Sequence, residues 1–112
     1  MKRDNKKDQL QGTLDLLVLR TLAAGGAMHG YAITERVEAL SQDVLRIEAG
    51  SLYPALHRME EAGLIRASWV TKENGRRARV YELTAQGRKQ LENEEVRWST
   101  DTAAVQRVLK LA

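Results

Sequence analysis

The chain has 112 residues, which suits a single domain with a modest core. Its formal net charge is only +3, but its isoelectric point of about 9.4 suggests an anionic partner. It contains no cysteine, so the sequence excludes a disulfide framework and a thiolate zinc site and favours a reducing, cytoplasmic location. No apolar run approaches the roughly 18 residues of a membrane span, and the polar start does not resemble a signal peptide. We therefore expect no membrane partner.

The first predicted helix follows residues 1–11, which we interpret as a basic, flexible tail. Thr13 is the expected N-cap, and Gly25-Gly26 is the expected end. Helical spacing gives this helix two apolar faces, one with Leu14, Leu17, Val18 and Leu22 and the other with Leu16, Leu19 and Ala23. Because a surface helix needs only one such face, the second face predicts packing against something beyond the domain core.

Two shorter helices are predicted next. The second helix covers roughly residues 29–41 and has a single apolar stripe. The third lies in GSLYPALHRMEEAGLI, residues 50–65, with Ser51 as the expected N-cap. That cap places Pro54, the only proline of the chain, within the first three helical positions, where a missing N–H costs little.

A β-hairpin is predicted in LIRASWVTKENGRRARVYELT, residues 64–84. Asn74-Gly75 is a pair that favours a tight primed turn. The register stays open, because a two-residue loop and a longer loop would pair different side chains. The basic side chains near the tip are Lys72, Arg76, Arg77 and Arg79.

The final predicted helix begins after Thr84, which is the expected N-cap. Leu91, Trp98 and Val105 lie at heptad spacing along it, and Val108, Leu109 and Leu111 add apolar residues near its end. Residues 99–102 are poor helix formers, so a continuous helix and a bent or split helix both remain open.

Three helices followed by a basic hairpin are typical of a winged helix-turn-helix. We predict a mainly α fold with a small β-hairpin: a winged helix-turn-helix over residues 12–83 and a C-terminal dimerisation helix over residues 84–112. In this fold the third helix enters the major groove of double-stranded DNA, and the wing lies against the backbone or the minor groove.

The predicted DNA contacts divide between the third helix and the wing. Ser51 suits a phosphate, Pro54 a thymine methyl group and Arg58 a guanine. The complete predicted set is Ser51, Tyr53, Pro54, His57 and Arg58 on the helix and Lys72, Arg76, Arg77 and Arg79 on the wing. The alternatives are an ordinary solvated helix face and a charged loop that keeps an edge strand soluble.

The sequence does not favour an enzyme. It contains no nucleophile elbow, phosphate-binding glycine loop or paired-carboxylate pattern. His29 and His57 lie on different predicted elements without supporting carboxylates, so we expect neither a metal site nor a cofactor. His29 is interpreted as a helix-start residue.

Five segments occur in order between Gly12 and Leu91: GTLDLLVLRTLAAG, HGYAI, GSLYPALHRMEEAGLI, RRARVYELT and AQGRKQL. Together they resemble the PadR family of bacterial transcriptional regulators, in the form with a single C-terminal helix. The resemblance implies a homodimeric winged-helix repressor that binds palindromic operators. It further implies that the signature of the third helix is carried by Gly50, Ser51, Leu52, Tyr53 and Pro54, and the basic wing by Arg76 and Arg77.

Dimerisation also follows from apolar surface that one small core cannot use. The predicted interface residues are Leu16, Leu19, Leu91, Trp98, Val105, Val108 and Leu109. The alternative is that the last helix folds back over its own domain. Resemblance to drug-sensing PadR members suggests a flat aromatic effector stacked at Trp98, against the alternative of plain packing.

The sequence thus favours a sequence-specific transcription factor that acts as a repressor. The alternative function is a winged-helix interaction module whose basic hairpin binds an acidic protein.

Overall fold

The computed structural model describes the backbone of residues 5–111 and the side chains of residues 13–110. The elements, in chain order, are α1 (Asn5–Gly25), β1 (Met28–His29), α2 (Gly30–Leu40), α3 (Ala49–Glu61), β2 (Ile65–Thr71), β3 (Arg77–Leu83) and α4 (Ala85–Leu111).

Helix α1 is the centre of the fold. It begins at Asn5, so Thr13 lies inside the helix and the prediction that it is the N-cap is wrong. The residues before it include good helix formers, which extend the helix towards the N-terminus. Of the predicted flexible tail, residues 5–11 belong to α1 and residues 1–4 lie outside the described residues. Because α1 packs against α2, α3, α4 and β3, both of its apolar faces are used within the chain.

The hydrophobic core lies between α1, α2, α3, the base of the hairpin and the start of α4. Its buried members are Val18, Leu19, Leu22, Ile33, Leu52, Ala55, Leu56, Met59, Ile65, Tyr81 and Leu91. On α3 the buried residues follow helical spacing and leave the opposite face of the helix outside the core.

Helix α3 begins earlier than the sequence predicts. The N–H groups of Ser51 and Leu52 both donate to the Glu48 carbonyl at 2.9 Å, and Glu48 is the N-cap. Ser51 is therefore a residue of the first turn, and the prediction that it caps the helix is wrong. Pro54 lies inside the helix, beyond the first three positions, where it cannot donate to the Gly50 carbonyl.

The hairpin pairs β2 with β3 from Ile65 opposite Leu83 to Thr71 opposite Arg77. Gly75 N–H donates to the Lys72 carbonyl at 2.9 Å, and Lys72 N–H donates to the Arg76 carbonyl at 2.7 Å. Gly75 has φ +85° and therefore occupies the left-handed position that follows a type I turn. The loop is thus the three-residue kind, because a two-residue type I′ turn would also need a positive φ at Asn74.

A third, very short strand completes the sheet. Strand β1 pairs with β3, with Met28 opposite Tyr81 and His29 opposite Val80, which gives the strand order β1-β3-β2. His29 is also the N-cap residue of α2, which confirms its interpretation as a helix-start residue.

Helix α4 begins as predicted and is continuous through residues 99–102. The Thr84 hydroxyl accepts a hydrogen bond from Gly87 N–H at 3.0 Å, which confirms Thr84 as the cap. None of the described helices is both long enough and apolar enough to cross a membrane.

Candidate nucleic-acid interface

The outward face of α3 contains most of the predicted helix contacts. Ser51, Tyr53, Pro54 and His57 are all exposed, opposite the side chains that enter the core. His57 Nε2 lies 3.4 Å from Glu61 Oε2, one helical turn further along. The face therefore presents the Ser51 hydroxyl, the rings of Tyr53 and Pro54 and the His57 imidazole to any molecule that approaches α3.

Arg58 lies on the flank of this face and is bound to α1. Its Nη1 and Nη2 donate to the two carboxylate oxygens of Asp15 at 3.0 and 3.1 Å. Burial raises the pKa of the Asp15 carboxyl more than the Arg58 guanidinium lowers it, and Glu94 of α4 raises it further. Arg58 therefore joins α1 to α3, and this pair must open before the same two nitrogens can contact a guanine.

The wing tip has a different arrangement of charge. Lys72 and Arg76 are exposed, and their side chains make no ion pair with any residue in the range 13–110. Arg76 is held through its backbone, because its N–H donates to Asn74 Oδ1 at 2.9 Å. Two cations are thus presented to solvent by a loop whose backbone is fixed.

The other two predicted wing residues have partners within the chain. Arg79 pairs with Glu60 of α3 at 2.9 Å, and the guanidinium carbon of Arg77 lies 4.9 Å from the centre of the Trp69 ring.

A shallow cleft joins α3 to the wing. It has a volume of about 180 Å³, and its lining residues are His29, Gly30, Tyr31, Tyr53, Lys72, Ala78, Arg79 and Tyr81. Since Tyr53 belongs to α3 and Lys72 to the wing, the exposed face of α3 and the wing tip adjoin each other at this cleft. Burial raises the pKa of the Tyr81 phenol, which also lines the cleft, and the positive charge of Arg79 opposes that rise.

Sequence reasoning missed the contribution of the start of α2 to this cleft. Tyr31 is highly exposed there and lies beside the Gly30 backbone. A Cβ at Gly30 would lie 2.8 Å from the Tyr53 hydroxyl, so glycine allows Tyr53 to pack closely against α2. The aromatic residue in the HGY sequence at the start of α2 was the available signal.

The predicted interface residues fall into two groups. Leu19 and Leu91 are only 0 % and 4 % exposed and belong to the core of the chain itself, so no partner can reach them without unfolding. Leu16 is half-buried against the same core. The exposed remainder lies on α4 and consists of Trp98, Val105, Val108 and Leu109. The alternative that the last helix folds back over its own domain therefore holds around Leu91, where α4 packs on α1.

The two histidines are not brought together by the fold. His29 lies at the start of α2, and His57 lies on the outward face of α3. Across the described part of the chain there is no group of three or more His, Asp or Glu side chains arranged to hold a metal ion.

Three helices around a core, followed by a hairpin that adjoins the third helix, define the winged helix-turn-helix class of DNA-binding proteins. The sequence matches the Transcriptional regulator PadR-like family over residues 18–93. The chain belongs to this family, whose members are transcriptional regulators and not enzymes.

Two curated relatives share part of this sequence. The chain is 41% identical over 66 residues to the transcriptional regulator Rv3488 of Mycobacterium tuberculosis, a match that covers 59% of this chain and 58% of that protein. It is 44% identical over 79 residues to an uncharacterised 37.1 kDa protein in transposon TN4556 of Streptomyces fradiae, covering 70% of this chain. The chain therefore spans 58% and 21% of the lengths of these two relatives.

Solved structures of regulators have the same fold. A PadR family regulator from Eggerthella lenta superposes with a TM-score of 0.76 at 28% identity, over 96% of this chain and 92% of that one. A transcriptional regulator from Clostridium thermocellum gives a TM-score of 0.80 at 24% identity, over 89% of this chain and 96% of that one. Bacillus subtilis PadR, solved with operator DNA, gives 0.65 at 22% identity, over 72% of this chain and 45% of that one.

Proposed function

We propose that the protein is a homodimeric transcriptional repressor that binds a palindromic operator in double-stranded DNA. The supporting observation is the cleft lined by both α3 and the wing, because the exposed face of α3 and the basic tip adjoin each other there. Bacillus subtilis PadR, which has the same fold, was solved in complex with operator DNA. The proposed site of action is the nucleoid in the cytoplasm.

The two elements would make different kinds of contact. Lys72, Arg76 and Arg77 on the wing suit phosphate oxygens, which fix the position of a protein on DNA without reading its sequence. Pro54 and His57 lie on the outward face of α3, where a thymine methyl group and a base edge would be within reach in the major groove. Ser51 and Tyr53 flank them and suit the adjacent backbone.

Gly50 gives independent support for close approach at this face. A Cβ at position 50 would have nothing within 4 Å, so the packing of the chain does not require glycine there. Glycine in the interior of a helix is less favourable than alanine by roughly 0.5–1 kcal/mol, which is an upper bound for Gly50 because it is the second residue of α3. A glycine at an open, exposed helical position therefore suits a partner that must approach the backbone.

The homodimer is proposed from the exposed part of α4. Trp98, Val105, Val108 and Leu109 lie on a helix that extends past the core, and each large side chain would contribute about 1.5–3 kcal/mol if fully buried. A twofold pair would place two copies of α3 on half-sites about one helical turn of DNA, or a multiple of it, apart.

Selection of bound duplexes from random-sequence DNA, followed by a salt titration, tests this function. We expect a palindromic consensus and an affinity that falls steeply with salt, because neutralised phosphates release counterions. The alternative is an interaction module for an acidic protein, which the basic tip would also suit. A chain that recovers no consensus and shows no salt-dependent DNA binding, yet binds an acidic protein, would replace the repressor with that alternative.

An effector site at Trp98 is a further part of the proposal. Trp98 is half-exposed on the part of α4 assigned to the dimer, and Glu94, Glu95 and Asp101 lie nearby in sequence. Planar cationic aromatics would suit an indole face among carboxylates. We expect such compounds to quench Trp98 fluorescence in a Trp69→Phe background and to weaken operator binding. If no quenching compound changes the affinity for DNA, Trp98 is a packing residue and not part of an effector site.

A further inference from the structure

The wing carries two arginines that differ in their ion-pair partners. Arg79 Nη2 donates to Glu60 Oε2 at 2.9 Å, so its guanidinium is tied to the last turn of α3. Within residues 13–110, no carboxylate pairs with Arg77. The two residues are next-nearest neighbours on β3, so their side chains leave the same face of the strand.

Trp69 connects both arginines. It lies directly opposite Arg79 in the hairpin and diagonal to Arg77, on the same face of the sheet. The guanidinium carbons of Arg77 and Arg79 lie 4.9 and 5.6 Å from the centre of the indole ring, within cation–π range. Trp69 is 56% exposed, so core packing does not account for its position.

We propose that Glu60 and Trp69 hold Arg79 as a brace that fixes the wing against the recognition helix α3. Arg79 then sets the separation of the wing from α3 and does not neutralise a phosphate. Arg77 has the aromatic contact but no carboxylate partner, so it is ordered by Trp69 and available to the DNA backbone. This inference rests on the proposed DNA-binding function and assigns Glu60, Trp69 and Arg79 as positioning residues.

The brace would have a consequence for specificity. Glu60 neutralises a cation that would otherwise add to binding on any sequence, because phosphate contacts are independent of sequence. A wing fixed at one distance from α3 contacts the backbone only where the base contacts of α3 also form. Glu60 would therefore lower the affinity for unselected DNA more than the affinity for an operator.

The first test compares Arg77→Ala with Arg79→Ala on a duplex selected from a random pool and on unselected duplexes of equal length. We expect Arg77→Ala to lower the salt slope by about 0.9, which corresponds to one phosphate contact. We expect Arg79→Ala to leave the slope unchanged and to weaken binding of the selected duplex by roughly 3- to 30-fold, from the lost ion pair and ring contact. A slope that falls equally in both variants would overturn the brace.

The second test compares Glu60→Gln with the matched control Glu82→Gln. Both variants lose one negative charge, and both release an arginine, since Glu82 pairs with Arg66 at 3.4 Å at the base of the hairpin, away from its tip. We expect only Glu60→Gln to tighten binding of unselected duplexes and to steepen the slope, by about 0.9 if Arg79 gains a phosphate. Equal behaviour of the two variants contradicts the inference.

Two controls separate the possible failures. Circular dichroism melts confirm that every variant is folded, and Trp69 fluorescence anisotropy in a Trp98→Phe background reports the brace without DNA. We expect Arg79→Ala and Glu60→Gln to lower this anisotropy, and an unchanged value counts against the brace. If the unmodified chain shows no salt-dependent DNA binding, the proposed function fails and so does the role of the brace in DNA binding, whereas the anisotropy still tests the contact itself. If the chain binds DNA but Arg79→Ala loses slope, only the brace fails.

Discussion

The two parts of α4 differ although they form one continuous helix. In residues 85–95, Leu91 is buried in the core, and Glu95 Oε2 lies 3.8 Å from Nη1 of Arg20 in α1. In residues 96–111, Trp98 is 50% exposed and Val105 is 56% exposed. Both parts have apolar residues, but within residues 13–110 only the first part has a side chain buried in the core. An apolar stripe therefore shows that a surface needs covering and does not show which molecule covers it.

The largest expected effect is from Leu91→Ala in the first part of α4. Truncation of a fully buried leucine costs about 2–5 kcal/mol, because the side chain is lost and a cavity is left. Urea unfolding measures this change, with Leu109→Ala in the second part as the matched control. At concentrations where the protein is monomeric, the control should change stability by no more than about 0.5 kcal/mol. Equal effects would mean that the two parts are covered in the same way.

Val105→Glu should act on association and leave the fold of one chain intact. Burial of this side chain against a partner would contribute about 1.5–3 kcal/mol, and a carboxylate there would have to be desolvated as well. We expect sedimentation velocity to show a shift from dimer to monomer, with an unchanged circular dichroism spectrum. A dimer that persists in this variant would place the interface elsewhere.

Gly87→Ala tests how closely the first part of α4 is packed. A Cβ at this position would collide with the Leu64 carbonyl oxygen and lie 2.8 Å from Leu83 Cδ1. Overpacking of this kind costs about 1–3 kcal/mol, whereas helix propensity alone would favour alanine by up to about 1 kcal/mol. We therefore expect a lower urea midpoint for Gly87→Ala and an equal or higher midpoint for Gly50→Ala, which has open space. A stabilised Gly87→Ala variant would contradict this packing.

The smallest effect is expected at Asp15, where α1 meets α3 and Glu94 of the first part of α4. Its pKa is raised in the folded chain, so the folded state binds more protons than the unfolded state between the ordinary and the raised value. The contribution of Asp15 to stability therefore decreases as the pH rises through that window and is constant above it. Asp15→Asn should remove this dependence and change the stability at neutral pH by no more than about 1 kcal/mol, because the carboxylate is partly exposed.

Urea midpoints measured from acid to neutral pH check the sign of this effect. If the unmodified chain instead gains stability over the variant as the pH rises, the Arg58 ion pair outweighs the desolvation of Asp15. Arg58→Lys is a useful second variant, since it keeps the charge and removes the two-pronged contact.

Local signals in the sequence predicted some boundaries well and others poorly. Thr84 caps α4 as predicted, because a threonine hydroxyl can reach the third N–H of a helix that begins directly after it. Thr13 and Ser51 have the same side-chain chemistry but lie inside helices, because their neighbours towards the N-terminus also adopt helical conformation. A capping residue thus marks a possible helix start, and the conformation of the residues before it decides whether the helix begins there.

The sequence by itself determined the order of the four helices and the hairpin, the buried face of α3 and the resemblance to a family, because these follow from periodicity, turn chemistry and local motifs, whereas the two-residue strand β1 was missed. The family match over residues 18–93 and the winged-helix fold confirm that part. Only the tertiary structure decided which arginines form ion pairs within the chain. Arg58 meets Asp15 across 43 positions of the chain, and Arg79 meets Glu60 across 19. Such ion pairs depend on how α1 and the wing pack against α3. The spacing of charged residues along the sequence does not tell how far apart their side chains lie in space.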